Sequence, residues 1–127
     1  MSEDESTPPG LAKMNEVYGW DSPNFPGDFF AITRDHLFGE IWTRPQLTIE
    51  QRRLLLIGLM VGRGLNDVLT IQLDSAFRRG EFDTDQLREL VIFLAHYAGW
   101  PSVVALNSAV EKLIAQSAKD ARGDADA

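Results

Sequence analysis

The chain contains no cysteine among its 127 residues, and this absence removes several kinds of chemistry. Disulfides, thiolate metal ligands and thiol nucleophiles are all excluded. A long hydrophobic run is also missing, because the longest one, Leu54 to Val61, contains Gly58 and is far shorter than the roughly 20 residues that cross a bilayer. The first residues lack the basic start and apolar core of a secretory signal. We therefore expect a cytoplasmic protein with no membrane partner.

Basic residues are scarce as well. The sequence has 12 Lys and Arg against 19 Asp and Glu, which gives a formal charge of −7. Such an excess of negative charge repels nucleic acid and anionic membrane surfaces, so we expect neither as a partner. A local cationic pocket for a small anion remains compatible with this composition. The two histidines, His36 and His96, are isolated and form no metal-ligand pattern, so no metal is expected.

Strand patterns are absent too, because no stretch alternates apolar and polar residues convincingly and the apolar spacing is helical. Thr48 and Asp83 each precede a glutamine by three residues, which is the capping-box pattern of a helix start. Gly80 and Gly99 are expected to end helices in the left-handed conformation. The sequence therefore predicts a compact all-α fold of five or six helices, near residues 27–42, 48–63, 66–79, 84–98 and 101–116, with a short one near 11–18.

The domain organisation follows from composition. A hydrophobic fraction of 44% in a chain of this length is enough for one packed domain. Residues 1–13 and 117–127 are charged, rich in Pro or Ala, and too poor in large apolar side chains to offset the entropy of ordering. We expect a helical domain over residues 14–116, between a disordered acidic tail at 1–13 and a flexible tail at 117–127.

The helix that contains Leu54 to Val61 is apolar on nearly every side. A domain of this size encloses few helices completely unless a partner covers one face. The pattern therefore predicts a homo-oligomer.

His96 is the first candidate for chemistry. It lies seven residues after Glu89, so the two side chains fall near the same face of a helix, about 10 Å apart along its axis. One interpretation is a catalytic acid or base in a partly apolar pocket, with the Glu89 carboxylate near the rim. The alternative, which composition alone favours, is a histidine packed at a subunit contact.

Arg44 is the second candidate, because it follows Trp42 and precedes Pro45, so its guanidinium projects from a turn. It can hold a carboxylate with two parallel hydrogen bonds while Trp42 supplies an apolar wall. An interfacial arginine that caps a helix end is equally compatible with the pattern. Tyr97 is expected in the core from its spacing, with its hydroxyl available at the edge.

Two motifs carry a family resemblance. Gly39 to Leu47 reads Gly-Glu-Ile-Trp-Thr-Arg-Pro-Gln-Leu, and Leu94 to Pro101 reads Leu-Ala-His-Tyr-Ala-Gly-Trp-Pro. Their order and spacing resemble the carboxymuconolactone decarboxylase family, and the resemblance covers roughly Phe29 to Ile114. It implies an alkylhydroperoxidase D-like helical subunit that assembles as a trimer or hexamer with sites near subunit boundaries. The thiol peroxidases of this superfamily rely on a Cys-x-x-Cys pair, so the absence of cysteine excludes their chemistry.

The first motif looks most like the decarboxylase branch, which implies the substrate 4-carboxymuconolactone, an anionic lactone from aromatic-acid breakdown through 3-oxoadipate. The lactone carbonyl accepts the electron pair left by carbon dioxide, so no cofactor is needed. By this resemblance Arg44 would hold the acetate side chain and Trp42 would supply the apolar setting of the departing carboxylate. Tyr97 would donate to the developing enolate oxygen, and His96 would protonate the carbon beside the carbonyl.

The chain departs from the family at Gln72, where many of these decarboxylases have a histidine, and at Val68, where they have an acidic residue. Glutamine can hydrogen-bond but cannot shuttle a proton. We expect Gln72 either to bind substrate or to be a polar residue at a helix contact. The departure leaves open a non-catalytic oligomeric binding or scaffold protein as the alternative to a decarboxylase.

Overall fold

The computed structural model describes residues 7–126, with side chains described for residues 7–123. All regular structure in this range is helical, which confirms the predicted all-α class. None of the helices in these residues is long and apolar enough to cross a membrane. The elements are α1 (Pro9–Tyr18), α2 (Asp28–Ile32), a π-helical segment that continues α2 (Thr33–Ile41), α3 (Ile49–Arg63), α4 (Asn66–Arg78), α5 (Thr84–Ala98) and α6 (Trp100–Asp126).

The chain forms two compact units, residues 1–52 and residues 53–127. In the first unit α1 packs against the π-helical segment. Gly10 permits this approach, because a Cβ atom at that position would lie 1.9 Å from the Arg34 carbonyl oxygen. The sequence pattern predicted one helix over 27–42, and the change to π-helical bonding at Thr33 was not expected.

The second unit has an apolar core supplied by all four of its helices. Both α4 and α5 pack against α6. Leu73 of α4, Leu87 of α5 and Leu106 of α6 are fully buried in this core, together with Ile57 of α3. By contrast, the α3 side chains of Leu54, Leu55 and Leu59 are exposed, consistent with the predicted partner-covered face, although self-association itself stays a prediction.

Both predicted capping boxes are present. At the start of α5 the Gln86 amide donates to the Asp83 carboxylate over 2.8 Å, and the Asp83 amide donates to the Gln86 side chain over 2.9 Å. The start of α3 has the same reciprocal pair between Thr48 and Gln51, at 3.0 Å and 2.9 Å. These bonds satisfy amides that have no partner inside the helix, and so define where each helix begins.

The end of α4 agrees with expectation, whereas the ends of α5 and α6 differ from it. Gly80 has φ 66°, in the left-handed region as predicted. Gly99 has φ 95° and ψ 150°, so the left-handed helical conformation expected there is wrong, although its positive φ still favours glycine. Helix α6 follows at once and continues to Asp126, ten residues beyond the predicted end at 116.

The predicted tails are described only in part. Residues 1–6 lie outside the described residues. Helix α1 begins at Pro9, inside the predicted tail 1–13, and Leu11 is buried. Helix α6 runs through most of the predicted tail 117–127. The domain limits 14–116 and the mobility of both tails stay predictions.

Candidate functional site

The predicted site residues lie in different units of the chain. Trp42 and Arg44 belong to residues 1–52, whereas Gln72, Glu89, His96 and Tyr97 belong to residues 53–127. Each group is therefore described within its own unit.

The Trp-Thr-Arg-Pro turn follows the π-helical segment. Trp42 ends that segment, is buried, and stacks on Phe38 with ring centroids 5.9 Å apart. The Thr43 hydroxyl closes the turn by donating to the carbonyls of Gly39 and Glu40 over 2.8 Å and 3.0 Å. Trp42 is thus an integral part of this unit's core, and only a small part of its ring is accessible to a ligand.

Arg44 is exposed at this turn. Its backbone carbonyl accepts a hydrogen bond of 2.9 Å from Arg52 Nη2, which ties the turn to the first turns of α3. Among the described residues the Arg44 guanidinium makes no ion pair within 4 Å, so its donors are available to an anion. This is the state that a carboxylate-binding arginine requires.

His96 is exposed near the end of α5, and its tautomer is set by a backbone contact. Nδ1 lies 2.7 Å from the Ile92 carbonyl oxygen. A carbonyl oxygen can only accept, so Nδ1 carries the hydrogen and the lone pair of the neutral ring is on Nε2. The ring also meets the edge of Trp100, with centroids 5.5 Å apart. The contact orients a nitrogen that can take up and return a proton.

Tyr97 is 81% exposed, so the prediction that it lies in the core is wrong. Its ring packs on Phe93 at a centroid distance of 5.3 Å, one turn earlier on the same face of α5. The spacing that suggested a core position therefore produces an exposed aromatic ridge, with the Tyr97 hydroxyl open to solvent or to a ligand.

A cavity of about 450 Å³ lies between α3 and α5, within the size range of small-molecule sites. Glu89 is the one carboxylate among its lining residues, at a wall that is otherwise almost entirely apolar. Phe93 lines the cavity and also contacts Tyr97. His96 is not a lining residue. The cavity side chains are Leu54, Ile57, Phe82, Gln86, Glu89, Leu90, Phe93 and Leu94.

Gln72 is buried on α4 and bonded to a charge network that the sequence pattern did not reveal. Its Oε1 accepts a hydrogen bond from Nη1 of Arg53, whose side chain is fully buried. Nε and Nη2 of Arg53 donate to the two carboxylate oxygens of Glu81, each over 3.1 Å. Glu81 also accepts from Arg79 Nε over 2.7 Å. Gln72 therefore makes the helix contact that was one of its two predicted roles.

A signal for Arg53 was present in the sequence. It stands four residues after Ile49 and four before Ile57, in a stripe that is otherwise apolar and buried. An arginine at such a position must be paired, because a buried charge without a partner is very costly. The spacing identifies the residue but not its partner.

A second cavity, of about 640 Å³, lies between α4 and α6 and is bordered by Lys112 and Lys119. It contains none of the predicted site residues. No cluster of three metal-ligating side chains occurs in the described part of the chain.

The chain is similar to two characterised proteins. It is 31% identical over 110 residues to 4-carboxymuconolactone decarboxylase of Acinetobacter baylyi, covering 80% of this chain and 81% of that protein. It is 32% identical over 77 residues to nitrosuccinic acid decarboxylase of Metarhizium robertsii, covering 61% of this chain but only 53% of that protein. No family model and no solved structure matches. The similarity to the first protein extends over most of both chains, and this chain belongs to the carboxymuconolactone decarboxylase family.

Proposed function

We propose that the protein is a cofactor-independent decarboxylase of a small anionic acid, with 4-carboxymuconolactone as the first candidate substrate. The observation that carries the proposal is the 31% identity over 110 residues to an enzyme of that name. The His96 ring with Nδ1 on a backbone carbonyl and the Arg44 guanidinium without an ion pair among the described residues supply suitable side chains.

The reaction needs an electron acceptor in the substrate. When the carboxylate of 4-carboxymuconolactone leaves as carbon dioxide, its bonding electron pair moves through the ring double bond into the lactone carbonyl. The resulting enolate then takes one proton at the carbon beside that carbonyl. In nitrosuccinic acid, the substrate named for the second relative, a nitro group can accept the electron pair instead. Both acids keep a second carboxylate, which a cationic side chain can hold.

The proposed roles follow from this chemistry. His96 Nε2, once protonated, delivers the proton to carbon, and the Tyr97 hydroxyl stabilises the enolate oxygen. Arg44 binds the carboxylate that is retained, with Trp42 beside it as an apolar contact. Solvent must then supply a new proton to His96, and Glu89 at the cavity wall relays it by accepting a proton from water and passing it on through water.

The alternative function is a non-catalytic binding or scaffold protein. One observation favours it, because the Gln72 carbonyl oxygen is bonded to Arg53 and a glutamine cannot shuttle a proton. This alternative predicts binding of small anions without release of carbon dioxide.

The test is to follow carbon dioxide release from 4-carboxymuconolactone and from nitrosuccinic acid with the parent protein and with His96→Gln. We expect turnover by the parent and a loss of about 10²–10⁴-fold in kcat for the variant, the usual contribution of a general acid or base. Arg44→Lys should mainly raise KM, because an ammonium cannot form two parallel hydrogen bonds.

The matched control is His36→Gln, which changes the other histidine, an exposed residue 3.4 Å from Glu40 on the π-helical segment. It should leave turnover unchanged.

Light scattering on the same samples tests the proposed homo-oligomer, a trimer or hexamer. If the parent releases no carbon dioxide from either acid, the scaffold alternative is favoured. If His96→Gln unfolds or dissociates the protein, the histidine is structural.

A further inference from the structure

The buried network around Arg53 joins three parts of the second unit. Arg53 lies on α3, Gln72 on α4, and Glu81 in the turn between α4 and α5. The guanidinium donates two parallel hydrogen bonds of 3.1 Å to the Glu81 carboxylate. Its Nη1 donates a third hydrogen bond to the Gln72 amide oxygen. A planar fork of this kind fixes the relative orientation of its partners as well as their distance.

The network adjoins the α3–α5 cavity at two points. Arg53 immediately precedes Leu54 and lies one turn before Ile57, and both of these line the cavity. Glu81 immediately precedes Phe82, which also lines the cavity and packs against the core. A shift of the ion pair would therefore move lining residues of the cavity both on α3 and in the turn before α5.

We infer that Arg53 and Glu81 are positioning residues, whose ion pair holds Phe82 against α3 so that the cavity keeps the width its ligand needs. The inference rests on the proposed function in one respect, that the ligand is the small acid to be decarboxylated. Neither side chain contacts that ligand, since both are sealed from solvent.

Gln72 belongs to this network. A guanidinium has only donors, so the oxygen of the Gln72 amide must face Arg53 and is not available to a ligand. The amide thereby accepts one of the hydrogen bonds of a buried cation, whose donors all need acceptors. The residue that stands in place of a proton-shuttling histidine thus serves the geometry of the site.

Buried ion pairs are weak sources of stability, because the cost of removing two charges from water offsets most of their attraction. Their geometric role can therefore be separated from folding. The variant Arg53→Met/Glu81→Met removes both charges together and keeps apolar side chains of similar length. If this double variant fails to fold because Gln72 loses its partner, the triple variant Arg53→Met/Gln72→Leu/Glu81→Met removes that polar group as well.

The experiment is a mutant cycle that combines the neutral variant with Phe82→Ala and measures kcat/KM for the acid that the parent decarboxylates. We expect the neutral variant to stay folded and to lose about 10–100-fold in kcat/KM, the size of effect that misplacing a site by about 1 Å produces. Adding Phe82→Ala should cause little further loss, because both changes act through the same wall.

The matched control is Arg88→Met/Glu111→Met, which removes an exposed bidentate pair between α5 and α6, outside the cavity. It should keep kcat/KM within about twofold of the parent, as surface pairs contribute little. The inference is overturned if the neutral variant retains the parent's kcat/KM, or if its loss and that of Phe82→Ala simply multiply.

A parallel cycle uses the dissociation constant of the fluorophore 1-anilinonaphthalene-8-sulfonate, which is apolar and anionic. This readout separates the two proposals. A parent protein that decarboxylates neither acid contradicts the proposed function, but the positioning role of Arg53 and Glu81 is still tested by the affinity for the fluorophore. If the neutral variant and Phe82→Ala each weaken fluorophore binding and their combination causes little further loss, the positioning role is supported. A parent that does not bind the fluorophore, or a Phe82→Ala variant that binds it unchanged, would overturn it.

Discussion

Two arginine–glutamate pairs in the second unit share one geometry and differ in their surroundings. Arg53 meets both oxygens of Glu81 at 3.1 Å, and Arg88 meets both oxygens of Glu111 at 3.0 Å. The side chains of the first pair are 0% and 1% exposed, whereas those of the second are 51% and 43% exposed. The same two hydrogen bonds therefore operate in very different dielectric environments.

The difference shows that hydrogen-bond geometry does not by itself determine what an ion pair contributes. Water and salt screen an exposed pair, and its long side chains lose conformational freedom when they are held together. A buried pair is little screened, but each charge depends on the other because neither can return to water. We therefore expect single changes in the two pairs to have very unequal effects.

The largest expected effect is that of Arg53→Met, which removes the bidentate partner of the buried Glu81 carboxylate and leaves it with Arg79. We expect a loss of about 3–5 kcal/mol in the free energy of unfolding, as found when one member of a buried pair is removed. Urea unfolding followed by circular dichroism measures it. The control is Arg88→Met, whose unfolding midpoint should stay close to that of the parent, and equal losses in the two variants would contradict the comparison.

A smaller effect is expected when the whole buried network is made apolar. Arg53→Met/Gln72→Leu/Glu81→Met should recover most of the stability lost in Arg53→Met and approach or exceed that of the parent, since well-packed apolar groups often replace buried ion pairs without loss. The same urea titration decides this. A triple variant no more stable than Arg53→Met would show that the network contributes to stability through packing that methionine and leucine cannot reproduce.

The smallest expected effect concerns the exposed pair and pH. Hydrogen bonding to Arg88, together with its positive charge, lowers the pKa of Glu111 below its ordinary value. A carboxylate with a lowered pKa stabilises the folded state at neutral pH, and this contribution disappears as the pH falls through the folded-state pKa. Titration by NMR should show the Glu111 pKa rising in Arg88→Met, with less difference at high salt. An unchanged pKa would mean that the pair does not persist in solution.

Local chemistry predicted most of the helices. The caps at Thr48 and Asp83 and the apolar stripes act within a few residues, so spacing alone locates them. The π-helical bonding after Thr33 was not predictable, because an apolar stripe of that length fits either helix type. Helix α6 extends past its predicted end at 116, because Ala, Lys and Arg favour a helix even in a segment with few large apolar side chains.

The candidate site was less predictable because its contacts are distant in sequence. Glu89 lines the α3–α5 cavity, but His96, which was expected to share a pocket with it, is not among the lining residues. The partners of Arg53, however, lie 19 and 28 residues away, and no periodicity within α3 identifies them. Tyr97 has core-like spacing but is 81% exposed, because spacing within one helix does not identify which face its neighbours cover. The catalytic and binding roles of the named side chains stay predictions.

The π-helical segment Thr33–Ile41 accommodates one more residue in each hydrogen-bonded ring than an α-helix does, as in the bond from the Trp42 amide to the Leu37 carbonyl. Deleting one residue from it would let the backbone return to α-helical bonding, in which each residue turns the chain by about 100°, more than in the wider helix. The larger rotation of each remaining residue offsets the missing one, so Arg44 and Pro45 would keep nearly the same direction. This short segment can therefore absorb the gain or loss of one residue during evolution without re-aiming the motif that follows it.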